Sequence, residues 1–241
     1  MKGILSRDFL ALILSVAAVG LGLGATLPLM ALALTQAGYG TDIVGLMTAM
    51  QVGGGLVVAP FASRVATVIV AALATIAMQF TLNLWLWAAL RLSFGAALML
   101  LFTIGEAWVT QLADDSTRGC VVALYATNFT LFQMTGPVLV SAIGGWQATR
   151  FAMWGAIFLL ALPALASIRG APHALASGEG QHGDWRTVLP RMPALVIGTG
   201  FFALFDTLAL SLMPLFAMSH GVGEDIGVLF ASAILFGDTA M

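Results

Sequence analysis

Long, nearly unbroken apolar runs alternate with short polar breaks along this chain. The runs are Phe9–Leu34, Ile43–Phe61, Val65–Leu84, Trp85–Leu112, Gly119–Ile143, Phe151–Ile168 and Ala194–Met218, and an eighth begins at Ile226 and continues to Met241. Each is close to the roughly 20 residues a helix needs to cross a hydrocarbon layer about 30 Å thick. None alternates with period two, so the pattern predicts membrane-spanning helices and not barrel strands. The breaks are marked by glycine, aspartate and arginine, as in Gly38-Tyr39-Gly40-Thr41-Asp42, Ser63-Arg64 and Asp114-Asp115-Ser116-Thr117-Arg118. One break is much longer. Arg169 to Pro193 is polar, charged and rich in Gly and Pro, the composition of a flexible linker between two membrane units.

Composition sharpens this picture. Apolar residues make up 60% of the 241, charged ones only 8%, and the mean hydropathy is +1.01. A soluble domain carries about 25% charged residues. That excludes a soluble globular enzyme and a disordered protein, and a net charge of −2 without a basic stripe excludes a nucleic-acid binder. The lone Cys120 excludes a disulfide framework and a cysteine-based zinc site.

Basic residues set the expected orientation. With the N-terminus cytoplasmic, Lys2, Arg7, Arg64, Arg118, Arg169, Arg186 and Arg191 all fall inside, seven of the nine basic residues. The chain is thus expected to be a multi-pass protein of the inner membrane. The first apolar stretch is too long for the 7–15-residue core of a cleavable signal, so it reads as a retained helix.

The sequence also resembles itself. Gly38 to Gly54 aligns with Gly221 to Gly237 at an offset of 183, with six of 17 positions identical. Upstream, Leu27-Pro28-Leu29 parallels Met213-Pro214-Leu215. The seventh helix and the start of the eighth therefore read as a second copy of the first two. The expected division is a six-helix bundle over 1–168, a cytoplasmic linker over 169–193 and the opening of a second bundle over 194–241. A parallel repeat of this kind is a transporter plan, and it predicts further helices after Met241, so that the chain reads as truncated.

On these features the chain resembles the major facilitator superfamily of secondary transporters, in a less characterised bacterial branch. Leu90-Arg91-Leu92-Ser93-Phe94-Gly95 is similar to the family's Arg-x-x-x-Gly motif in helix 4. Gly105-Glu106-Ala107-Trp108 with Arg118-Gly119 looks like its helix 4 to helix 5 region. Gly136-Pro137 resembles the helix-bending Gly-Pro motif of antiporters. In the loop after helix 2, Arg64 matches the family's basic position, and Arg64 and Arg118 are the candidate gating-loop residues. Ser63 stands where the motif has aspartate, and the trailing basic pair is absent. The resemblance implies an all-α bundle that moves a small solute by alternating access, driven by protons and directed outward. It also implies a protein monomeric at full length, in contact with lipid and without cofactor or metal.

Candidate transport residues follow from depth. A charge at the bilayer centre costs about 2.5–3.5 kcal/mol, so an intramembrane ionisable group invites a functional reading. Asp206 lies 12 residues from either end of Ala194–Met218, roughly 18 Å deep. Its alternative reading is a neutral acid hydrogen-bonded between helices. Glu106 lies about 12 Å from the inner boundary. Arg91 precedes it by 15 residues, a rotation of about 60° that leaves the two on one face without contact. That face suggests helix 4 lines a cavity. Alternatively, Trp85 and Trp87 are interface anchors and Arg91 snorkels to the headgroups. Gln51, Asn128 and Gln133, with Gln79 and Asn83, are candidate path-lining polar residues or interhelical bonding partners. The three histidines, His173, His182 and His220, fall in loops, and none has a carboxylate at helix spacing to build a zinc site. A membrane enzyme is therefore not expected. A non-transporting scaffold or sensor, or an inactive transporter fragment, is the rival.

Overall fold

The computed structural model describes residues 7–56, 64–112, 117–143, 150–167 and 191–240. Eight α-helices and one short 3-10 turn account for nearly all of them, with no strand among the described residues. The helices are α1 (Arg7–Gln36), α2 (Thr41–Leu56), α3 (Arg64–Ala77), α4 (Leu84–Leu112), α5 (Arg118–Ile143), α6 (Arg150–Ser167), α7 (Pro193–Ser219) and α8 (Glu224–Ala240). Arg7–Gln36 and Leu84–Gln111 are long and apolar enough to cross a membrane on length and composition alone. Residues 169–190 of the linker and 57–61, the end of the second predicted span, lie outside the described residues.

The third span departs from expectation. It reads as one helix through Leu84, but α3 ends at Ala77, a 3-10 turn covers Met78–Phe80, and the chain opens before α4. The cause is local. Asn83 Oδ1 accepts the backbone N–H groups of Trp85 (3.0 Å) and Leu86 (3.2 Å), satisfying donors that a helix start leaves without intrahelical partners.

Packing pairs α1 with α5, α2 with α4 and α3 with α6, with α1 also lying on α6. Glycines set the distances. A methyl at Gly54 would strike the Leu92 carbonyl on α4, and one at Gly95 would strike the Gln51 carbonyl on α2. The α1–α5 crossing is built likewise, Gly24 against the Gln133 carbonyl and Gly136 against the backbone of Gly24 and Ala25. Gln133 O is the carbonyl that Pro137, lacking an N–H, cannot engage. Without an apolar driving force between helices in lipid, such close backbone approach is a main source of cohesion.

The two turns singled out by the internal resemblance share one geometry. Gly38 (φ +86°) and Gly221 (φ +83°) each occupy the left-handed region two residues past the end of a helix. Gly38 N donates to Thr35 O and Tyr39 N to Leu34 O. Gly221 N donates to Met218 O and Val222 N to Ala217 O, the same pattern 183 residues on. α8 packs against α5 and α7, while α7 also touches α1 and α2. The α7 residues in the buried clusters, Leu210, Leu212, Leu215 and Met218, all come from the half nearest this turn. Ile197, Phe201, Leu204 and Phe205, nearer its start, are exposed.

Candidate functional site

Arg91 is the centre of the site. It sits two turns into α4, beside the glycine crossing with α2, and its side chain is 1% exposed. Nη1 donates to Gln51 Oε1 on α2 at 2.8 Å, and Nη2 donates to the Thr26 carbonyl on α1 at 3.1 Å. The guanidinium also stands 5.7 Å from the Phe94 ring centroid, and Phe94 meets Phe158 edge to face. No acidic side chain pairs with Arg91 among the described residues; its hydrogen-bonding partners are a neutral amide and a carbonyl. The close approach at Gly54 and Gly95 is what brings Gln51 within reach.

From Gln51 the polar groups continue along α2. Thr48 lies one turn away on the same face, its hydroxyl 3.1 Å from Ser211 Oγ on α7. Ser211 in turn donates to the Thr207 carbonyl at 2.9 Å. Next to Thr207 is Asp206, the middle residue of α7, half-buried and with Oδ1 shielded from solvent. Two interhelical contacts thus result, Arg91–Gln51 between α4 and α2 and Thr48–Ser211 between α2 and α7, while Asp206 lies about 140° around α7 from Ser211. Thr48 and Ser211 are the links sequence reasoning missed. Their hydroxyls also bond within their own helices, to Val44 O and Thr207 O, so nothing in their local sequence distinguishes them from ordinary helix threonines and serines.

Other candidates are placed differently. Glu106 is exposed while Arg91 is buried, so the helices that enclose Arg91 do not cover Glu106. A 60° offset carried over four turns is enough to take one residue into the α2 contact and leave the other outside it. Trp87 is not an interface anchor: it is 1% exposed, edge to face with Phe151, and its indole N–H donates to Thr81 O. Trp85 alone points outward. Gln79 and Asn83 serve helix ends, Gln79 Oε1 accepting the Phe151 N–H at 3.1 Å. Asn128 Nδ2 donates to Ile13 O at 3.0 Å, tying α5 to α1, and Gln133 is buried at the Gly24 crossing. Gly136 and Pro137 lie within α5, which continues through them. Arg64 begins α3, and Arg118 is exposed at the start of α5.

A buried cation held by neutral acceptors gives a stability prediction. Gln51→Leu leaves Nη1 without its acceptor and is expected to cost about 1.5–3 kcal/mol, seen as a lowered unfolding midpoint in detergent. Arg91→Met removes the charge together with its desolvation cost and is expected to cost less. The reverse order would make the guanidinium the net source of cohesion at this crossing.

A helical bundle with glycine-set crossings, a buried arginine and an acid at the middle of a span is a polytopic membrane transporter in class. A family model described as Major Facilitator Superfamily matches residues 9–241, and the chain belongs to that family of secondary transporters. It is accordingly a multi-pass membrane protein that handles a small-molecule substrate. No curated protein sequence matches it significantly.

Proposed function

We propose that this chain moves a small solute across the inner membrane by alternating access, coupled to protons and directed outward, with its N-terminus cytoplasmic. In this reading 1–168 is the first bundle, 169–193 a cytoplasmic linker and 194–241 the opening of the second bundle. The observation that carries the reading is the pair of interhelical polar contacts, Arg91–Gln51 between α4 and α2 and Thr48–Ser211 between α2 and α7, because the second joins the first bundle to α7 within two turns of its mid-helix acid, Asp206.

Hydrogen bonds also tie α7 and α8 to the first bundle; among the described residues they include Gln36 to Glu224, Thr48 to Ser211 and Ser232 to the Met134 carbonyl. In a rocking mechanism, contacts of this kind between bundles break and re-form as the cavity opens to either side.

The test is reconstitution of the protein in vesicles loaded with a pH-sensitive dye, with a panel of cationic, neutral and anionic organic solutes added outside. The expected result is a lumenal pH change on addition of a transported solute, lost with a protonophore. Solute accumulation with lumenal pH unchanged across the panel would overturn the proton coupling.

A further inference from the structure

A groove of about 390 Å³ runs between the start of α1 and the end of α6, lined by Arg7, Leu10, Ala11, Leu14, Ala164 and Ser167. Its size falls in the range of small-molecule sites. The polar and apolar parts are ordered along it. Arg7 and Ser167 are terminal residues of their helices, at the level where a span meets the headgroups, whereas Leu14 is two turns deeper, about 10 Å. Arg7, Leu10 and Leu14 follow at helix spacing on one face of α1, with Leu10 49% and Leu14 65% exposed. Leu160, 69% exposed, extends the α6 wall on the face of Ala164 and Ser167. Arg7 is exposed and has no hydrogen-bond or ion-pair partner among the described residues.

We infer that this groove is a binding site for one anionic glycerophospholipid, with its phosphate on Arg7 and one acyl chain along Leu10 and Leu14. A guanidinium at the headgroup level pairs with a phosphate oxygen, and the leucine stripe below it continues in the direction the acyl chain must run. The sign of the lipid's charge follows from the lining. None of the six residues is acidic, so a zwitterionic lipid would bring an ammonium group with no partner in the groove. Asp8, the neighbouring carboxylate on α1, is half-buried and not part of the lining. A groove between two helices also differs from simple snorkelling of Arg7 into bulk headgroups, because its second wall can hold one lipid through delipidation.

The test uses the full chain in phosphatidylcholine nanodiscs doped equally with phosphatidylglycerol and phosphatidylethanolamine, released into detergent and weighed by native mass spectrometry. The expected wild-type spectrum carries one retained phosphatidylglycerol. Arg7→Gln is expected to lower that retention about fivefold, Arg7→Lys to preserve most of it, and Arg191→Gln, at an exposed arginine that does not line the groove, to leave it unchanged. Equal retention in the Arg7→Gln and Arg191→Gln proteins overturns the site. Retention of phosphatidylethanolamine equal to that of phosphatidylglycerol overturns the assignment of charge. The readout needs no transport, so it stands apart from the proposed solute flux.

Discussion

Asp206→Asn is expected to reduce proton-driven solute flux to the level of empty vesicles while the protein still inserts and folds. Asparagine keeps the shape of the carboxylate and most of its hydrogen bonding, but it has no proton to release. The position makes that loss decisive. Asp206 is the midpoint of a 27-residue helix, one residue before the Thr207 carbonyl that receives Ser211, and Ser211 meets Thr48 on α2. A coupling acid in a repeat-built carrier has to be reached from both sides in turn, and the middle of α7 is where that geometry holds. Folding should not suffer, because the substitution removes an ionisable group whose burial in lipid costs about 2.5–3.5 kcal/mol when charged. The two quantities are read separately: flux in vesicles under an imposed pH gradient, and unfolding midpoint in detergent. A further arm uses the same vesicles without a gradient. Exchange of labelled for unlabelled solute needs reorientation but no net proton movement, so it should persist in Asp206→Asn. Wild-type flux under the gradient would remove Asp206 from the coupling step and leave it the interhelical role it was weighed against.

Much of the fold is legible in the chain because hydropathy reports membrane crossing directly, whatever packs against what. The α1–α2 and α7–α8 turns are equally legible, since a glycine past a helix end is required by the backbone itself. Side-chain direction is harder to read. Arg91 and Glu106 differ by a modest rotation, and only the helices arriving from elsewhere decide that Arg91 is enclosed and Glu106 is not. Trp87 misleads for the same reason: a tryptophan near a span end has the composition of an anchor, yet it is the Phe151 contact from α6 that buries it. Asn83 looks like a polar residue inside a long apolar run, when its role is to start the next helix. Thr48 and Ser211 become a pair only once α2 and α7 are neighbours.

The Gly53-Gly54-Gly55 run shows the same limit in a form that mutation can measure. The sequence makes these three glycines equivalent, but the structure does not. A methyl at Gly53 meets nothing within 4 Å, one at Gly55 comes into ordinary contact 3.5 Å from Met99 Cβ, and one at Gly54 collides with the Leu92 carbonyl oxygen and comes within 3.0 Å of Ala96 N. Both Gly54 obstacles are backbone, fixed by the hydrogen bonding of α4, so no rotamer change can relieve them. The helices have to part. Gly95 faces the Gln51 carbonyl across the same crossing, so separation would also draw Gln51 away from Arg91 and strand a buried guanidinium. Gly54→Ala is therefore expected to cost about 3 kcal/mol or more, as overpacking and the loss of a charged group's partner act together. Gly53→Ala is expected to be stabilising by roughly 0.5–1 kcal/mol, since it removes helix-interior glycine at an open position. Unfolding midpoints of the two variants in the same detergent should move in opposite directions, the Gly54→Ala protein melting earlier and the Gly53→Ala protein later. If both moved upward together, helix propensity would govern this run and the α2–α4 contact would not be set by Gly54. The site at Arg91 depends on that contact, because only a crossing this close lets a side chain as short as glutamine reach the guanidinium from the neighbouring helix.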